Sequence, residues 1–385
     1  MLLHNVNLCS GSGTMKIGIE AQRLFDPQKH GSDFVALDLI HALQKIDRRN
    51  EYFIFARPDA DRDCLAEAPN FHVVEIPGYN YLHWEQVQLP RYMRRFQIHV
   101  LHSTANTAPV RREVPLILNL HHINFMEDRR KTETRFQQLS NRYRRWIVPR
   151  VVDQAERVIT VSEDEKQRIL QKFPKVKAEC IQVVYNGVNE TFQTVVPERQ
   201  QYVQTRYRLP QSYVLGLGST DPKKNLTGLI DAFSQLAEAF PEVSLVLLDT
   251  PESLLNAALG LHVRLRSRIL ALENVAHEDV PALYQLASVM VYPSLRESFS
   301  APALEALAAG VPLVCSDLPS LREVVGSAAR YIQPQAPDSI AQALTALLSD
   351  EKLRHQLVED GKKAVHPFTW ERTARQMIQI YESFK

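Results

Sequence analysis

Short runs of Val, Ile and Leu that stay apolar at successive positions alternate with helix-length stretches along the whole chain. In the first half such runs predict strands at Lys16–Ala21, Tyr52–Ala56, His72–Ile76, His99–His102, Leu116–Leu120, Val158–Val161 and Gln182–Tyr185. In the second half they predict strands at Tyr213–Leu217, Ser244–Leu248, Val289–Tyr292, Leu313–Cys315 and Tyr331–Ile332. Runs that are apolar throughout mark strands covered on both faces, as in parallel sheets between helix layers. The pattern therefore predicts an α/β protein of two doubly wound, Rossmann-like domains. The polar stretch Asn189–Leu209, followed by a fresh strand, places the boundary between a domain at 15–195 and another at 196–367.

Length agrees, since 385 residues exceed what one hydrophobic core usually serves. Composition changes little: 45% hydrophobic, 23% charged and a formal net charge of +1 describe an ordinary soluble chain and give no reason to expect a nucleic-acid partner. Cys9, Cys64, Cys180 and Cys315 are widely spaced, without a C-x-x-C pair, and read as reduced thiols of a cytoplasmic protein rather than zinc ligands. No apolar run reaches membrane-spanning length. Residues 1–14 lack the basic start and apolar run of a signal peptide and are expected to form a disordered leader before the first strand.

The densest chemistry lies in Ser294-Leu-Arg-Glu-Ser-Phe-Ser-Ala-Pro-Ala-Leu-Glu-Ala-Leu-Ala-Ala-Gly310. A strand runs into a loop bearing Glu297, and a helix from Pro302 to Ala309 carries Glu305 one turn inside. Ser300 is expected to cap that helix. Unpaired N–H groups at the helix start favour an anion between the two carboxylates. Carboxylates seek hydroxyls, so a phosphate flanked by hydroxyls suits a sugar nucleotide. Ordinary solvated glutamates remain the alternative. In the same half, Gly218 ends a strand and leads through Ser219 to Lys223 and Lys224, where a diphosphate could lie.

Together these segments resemble the family 4 retaining glycosyltransferases. Their usual E-G-F-G-x-P-x-L-E-A-x-A-x-G-x-P-V is matched by E-S-F-S-A-P-A-L-E-A-L-A-A-G-V-P-L from Glu297. Further pieces follow in order: Trp84-Glu-Gln86, His102-Ser-Thr-Ala-Asn-Thr-Ala-Pro109, Val158-Ile-Thr-Val-Ser-Glu163, Tyr185-Asn-Gly-Val188, Gly218…Pro222-Lys-Lys-Asn225 and Phe368-Thr-Trp370. The resemblance implies the GT-B fold, with two Rossmann-like domains facing across a cleft and a closing helix at 368–385 packing back on the first. It implies a retaining, metal-independent transfer of a hexose from a nucleotide-sugar, GDP-mannose first and UDP-hexoses next, with no resident cofactor. The acceptor would be a glycan or lipid-linked glycan, as in bacterial mannosyltransferases of surface polysaccharide assembly.

Roles follow residue by residue from that resemblance. Glu297 would lie by the transferred sugar and Glu305 would bind the ribose hydroxyls. Lys224, with Lys223, would neutralise the diphosphate, and amides of Phe299 to Ala301 would complete its site beside Gly218 and Ser219. His121 would touch the donor sugar. The chain departs from the family at Ser298 and Ser300, both usually glycine, at Ser219, more often arginine, and at His122, usually aspartate. Asp249 also stands where glycine is usual, and only Gly31 survives of a G-x-G turn. Serine restricts both close backbone approach and positive φ. A weakly active or inactive nucleotide-sugar-binding relative, or a sugar-nucleotide epimerase on the same fold, is therefore the competing expectation.

On the acceptor side, Gly31, Asn106, Thr107 and His122 are the candidate polar wall. His102 reads either as wall or as a satisfied core histidine, and Trp84 as packing rather than stacking on a sugar. Ser162 is expected to cap the helix starting at Glu163. Residues 129–150 carry eight basic side chains against Glu133 alone, with an apolar stripe of Phe136, Leu139, Tyr143, Trp146 and Ile147. That segment either packs its stripe on the first domain or meets the inner face of a membrane.

Overall fold

The computed structural model describes residues 13–126, 135–219 and 221–385, with the side chains of 135–137 excepted. The chain divides into two compact units: one formed by the chain up to Asn186 together with Trp370–Lys385, the other by Gly187–Thr369. The first twelve residues of the expected leader, Cys9 among them, lie outside the described residues, as do positions 129–134 of the basic segment. Cys64, Cys180 and Cys315 are free thiols.

The first unit holds a parallel sheet of seven strands: β1 (Lys16–Glu20), β2 (Glu51–Ala56), β3 (Phe71–Glu75), β4 (Val100–Ser103), β5 (Leu116–Asn119), β6 (Arg157–Thr160) and β7 (Ile181–Val183). Their order is β3-β2-β1-β4-β5-β6-β7, so the chain switches direction between β1 and β4. Alternate residues of β2 show why the run is apolar throughout. Tyr52 and Ile54 enter one core with Ile17, Ile19, Ile40 and Leu43, while Phe53 and Phe55 enter the opposite core with Leu101, Leu116 and Leu118.

The closing helix, Trp370–Glu382, belongs to this unit and buries Ala374, Met377, Ile380 and Tyr381 in the first of these cores, as expected. His102 is wholly buried, with Nδ1 2.8 Å from the Tyr381 hydroxyl and Nε2 3.0 Å from Asn119 Oδ1. It is a satisfied core histidine. Trp84 is likewise buried, and its indole N–H donates to the Ile76 carbonyl. Ser162 Oγ accepts from the Glu165 N–H at 3.1 Å and caps the helix Glu163–Lys172.

The second unit holds a six-stranded parallel sheet: β8 (Ser212–Leu217), β9 (Val243–Leu248), β10 (Ile269–Leu272), β11 (Val289–Tyr292), β12 (Leu313–Ser316) and β13 (Ala329–Ile332), in the order β10-β9-β8-β11-β12-β13. β10 is a strand the apolar pattern does not predict. It lies at the sheet edge, its two central residues are half-exposed, and Leu270-Ala-Leu272 is built of helix-favouring rather than β-branched residues. Here the switch falls between β8 and β11. Ligands in open α/β sheets bind beyond the carboxyl ends of strands at such points.

Candidate active site

Both halves of the chemistry recognised in the sequence of the second unit meet at the β8/β11 switch. β8 ends at Leu217, and Gly218 turns the chain over Thr250. A Cβ on residue 218 would sit 1.8 Å from Thr250 Oγ1, so no side chain fits there. Ser219 Oγ then accepts the Asp221 N–H, and Asp221 Oδ1 accepts the Lys223 N–H. These two bonds fold Pro222–Lys224 into a 3₁₀ turn, closed by Asn225 in the left-handed conformation at φ 58°. Asn225 Nδ2 ties the turn to the carbonyls of Pro293 and Pro334.

That turn aims Lys224 at the end of β11. Its ammonium donates to Glu297 Oε1 at 2.8 Å and to the Tyr292 hydroxyl at 2.6 Å. Glu297 is 8% exposed. Burial alone would raise its carboxyl, but the charges of Lys224 and Lys223, with hydrogen bonds from Lys224 and Tyr292, outweigh it and hold the group below its ordinary value. Glu297 is therefore a carboxylate at neutral pH, able to accept from a hydroxyl. Ser320 Oγ fixes the loop by donating to the Glu297 carbonyl. Sequence alone reads Tyr292 only as strand core, because a tyrosine closing an apolar run carries no separate signal.

The following helix runs from Ala301 to Ala308 and places half-buried Glu305 within one turn of its start. The Tyr284 hydroxyl hydrogen-bonds to Glu305. Ser300 does not cap this helix as expected. It occupies the capping position at φ 79°, ψ 56°, and its side chain accepts no backbone N–H from the first turn. A side-chain cap needs extended backbone, whereas Ser300 is left-handed, the conformation glycine supplies freely. Its buried Oγ has no hydrogen-bond partner among the described residues. Asp249 shows the same pattern at φ 52°, while Ser298 does not have positive φ. Two of the glycine replacements are thus absorbed as backbone strain.

In the first unit His121 follows β5. Its Nε2 lies 2.9 Å from the Thr104 carbonyl, and its own N–H donates to Asn106 Oδ1. A carbonyl only accepts, so the proton sits on Nε2 and Nδ1 is left as an acceptor in the neutral ring. Burial lowers this histidine's pKa, against the Thr104 hydrogen bond, and favours the neutral form. Half-buried His122 meets Phe125 edge-on at 5.9 Å.

The expected polar wall is corrected in two places. Asn106 is buried at φ 63° and holds His121 in position. Thr107 is buried and its hydroxyl is engaged by Glu85 and Tyr81. Both side chains are taken up by protein partners. Gly31 opens the helix Gly31–Ile46, and nothing lies within 4 Å of where its Cβ would be.

In the basic segment the apolar stripe divides. Ile147, Val148, Val151 and Val152 are buried in the first unit, whereas Leu139 is 69% and Trp146 49% exposed beside exposed Arg142 and Arg150. Phe136 lies among the side chains outside the description. Among the described residues no helix is long and apolar enough to cross a membrane.

Residues 30–192 match the model of Glycosyltransferase Family 4, and residues 200–364 match that of glycosyl transferases group 1. The chain belongs to this family. It is 31% identical over 235 residues to the O-antigen chain mannosyltransferase B of Escherichia coli, 60% of this chain and 61% of that protein. It spans only 28–29% of the longer serotype-specific mannosyltransferases of the same organism. Among solved structures it resembles sucrose-phosphate synthase from Thermosynechococcus elongatus, with a TM-score of 0.74 at 18% identity, over 96% of this chain and 98% of that one. Anabaena HepE, solved with UDP-glucose, gives 0.73 at 18%, over 96% of this chain and all of the other. The fold is GT-B.

Proposed function

We propose that this member of the family is a retaining, metal-independent hexosyltransferase. Mannose from GDP-mannose is the first choice of donor, ahead of UDP-hexoses, and the acceptor is a glycan or lipid-linked glycan of polysaccharide synthesis. The observation that carries the reading is the Lys224–Glu297 pair at the β8/β11 switch, with Glu305 one turn into the helix that starts beside it. Mannose is favoured by a relative named as an O-antigen mannosyltransferase, and a nucleoside-diphosphate donor by a structural neighbour solved in complex with UDP-glucose.

In this mechanism the ribose hydroxyls bind Glu305. The diphosphate lies against Lys224, Lys223 and the N–H groups opening the helix at Ala301. Glu297 accepts from a hydroxyl of the transferred sugar, and neutral His121 offers Nδ1 to another. The bond from the anomeric carbon to the diphosphate oxygen breaks, and the acceptor oxygen bonds the same carbon on the same face. The acceptor's proton passes to a departing diphosphate oxygen, so no protein nucleophile is needed. Lysine and helix dipoles offset the developing charge.

The protein would work at the inner face of a membrane. Exposed Leu139 and Trp146 flanked by Arg142 and Arg150 suit an anionic lipid surface.

The test is nucleotide release and product analysis with GDP-mannose and UDP-hexoses, for the natural protein and Glu305→Ala. Turnover with inverted product would overturn retention, and normal turnover by Glu305→Ala would remove the ribose assignment.

A further inference from the structure

The first unit has its own switch point, between β1 and β4, and Glu20 is the last residue of β1 there, paired in register with Ser103 of β4. Its side chain is 1% exposed. Oε1 accepts the Gln22 N–H at 3.0 Å, and Oε2 has no hydrogen-bond partner among the described residues. A buried polar atom left unpaired costs about 1–3 kcal/mol, more when charged.

The same unit shows how fully it can satisfy a buried acid. Glu85, also 1% exposed, accepts from the hydroxyls of Thr107, Tyr143 and Tyr81 and from the Gln86 amide. Glu20 instead lines a pocket of about 30 Å³ of free space, together with Gln22, Arg23, Ser32, Asp33, Tyr81 and Thr104 among others. That is room for an oxygen-sized group. The pocket also borders the start of the helix Gly31–Ile46.

Its charge selects what can enter. Arg23 is engaged by Asp26 at 2.9 Å and Asp33 at 3.3 Å, so the cation is neutralised in place. With Arg23 held by Asp26 and Asp33, the wall has no unbalanced cation to hold a phosphate or carboxylate. A neutral hydroxyl is compatible with both a carboxyl and backbone N–H groups.

We propose that this pocket is a hydroxyl-reading subsite, in which Glu20 Oε2 hydrogen-bonds one hydroxyl of a neutral pyranose and so selects the acceptor sugar. That the sugar is the acceptor rests on the sugar-transfer reading above; the subsite itself does not.

Saturation-transfer NMR on the full chain tests it, with methyl α-D-mannopyranoside, its 2-, 3-, 4- and 6-deoxy analogues, and the gluco and galacto glycosides as probes. The natural protein should bind at least one parent glycoside and lose about tenfold in affinity for one deoxy analogue. Glu20→Ala should weaken the parent similarly and erase that discrimination. Glu20→Gln, which keeps the size and the bond to Gln22, serves if the alanine variant does not fold, and should shift the preference in the same direction. Equal binding of parent and deoxy sugars, no glycoside binding at all, or unchanged selectivity in both variants would show that the pocket holds only water. GDP and UDP are titrated separately. Their failure to bind would overturn the sugar-transfer reading while leaving an observed hydroxyl discrimination standing.

Discussion

Lys224 Nζ and Glu297 Oε1 are 2.8 Å apart, at the ends of two neighbouring strands of one sheet, and the ammonium helps hold the buried carboxyl in its charged form. Glu297 is nearly buried, so removing the ammonium would strand a carboxylate where water cannot reach it. Lys224→Ala is expected to lower kcat/KM by about 100-fold or more, the scale of losing one charge-stabilising donor. It should also destabilise the second unit by up to about 3 kcal/mol. Adding Glu297→Gln should recover much of that stability without recovering turnover. Urea unfolding and steady-state kinetics on the two variants decide it: a double variant as unstable as the single one would break the coupling.

Ser300 stands in the left-handed region with a hydroxyl that is buried and has no hydrogen-bond partner among the described residues, a backbone conformation that glycine adopts freely. For an L-residue that conformation costs about 1–2 kcal/mol. Ser300→Gly removes the strain and loses no cap, since the side chain makes none. The variant should gain about 1 kcal/mol and melt a few degrees higher, with turnover equal or better. A lower melting temperature would mean that the serine makes a compensating contact.

Leu139 and Trp146 lie seven residues apart on one face of the helix Arg135–Val152, and the Arg150 guanidinium lies 4.7 Å from the Trp146 ring centre. The full chain should co-sediment with vesicles containing phosphatidylglycerol and much less with pure phosphatidylcholine. Replacing both residues with serine should reduce binding several-fold while leaving nucleotide-sugar hydrolysis in solution unchanged. Equal sedimentation with neutral and anionic vesicles would remove the electrostatic part of this reading.

How much of this was legible depended on whether the signal was local. The central strands were readable because a strand covered on both faces must be apolar at every position, and the edge strands β3, β7 and β13 because their β-branched and aromatic residues stood out, which the Leu-Ala-Leu of β10 does not. Glu297, Glu305 and Lys224 were legible as motif residues, and their spacing around strand ends placed them together. Tyr292 and Tyr284 were not, because their hydroxyls act across the fold while their rings fill apolar runs. Thr107 misled for the opposite reason: a polar residue in a loop reads as wall, and only the fold reveals the buried Glu85 that claims its hydroxyl. Glu20 carried no signal, since a single acid ending a strand is ordinary until its burial is known.

Two buried groups of the first unit titrate in opposite senses. Burial, then the charge of Glu85, pushes Glu20 from an ordinary 4.5 to about 8. Across that interval the folded chain keeps a proton the unfolded chain has lost, so stability falls as pH rises. His102 is lowered by burial from 6.5 to about 4, against the Asn119 hydrogen bond. Between those values the unfolded chain holds the extra proton, so stability rises with pH. From about 4.5 to 6.5 these two slopes offset each other, and above 6.5 Glu20 contributes a fall of up to about 1.4 kcal/mol per pH unit. Melting temperatures of the natural protein and Glu20→Gln should therefore diverge between pH 6.5 and 8, the variant falling less. Glu85, also raised by burial, is present in both proteins. Parallel curves for the natural protein and Glu20→Gln from pH 6.5 to 8 would show that Glu20 does not hold its proton there.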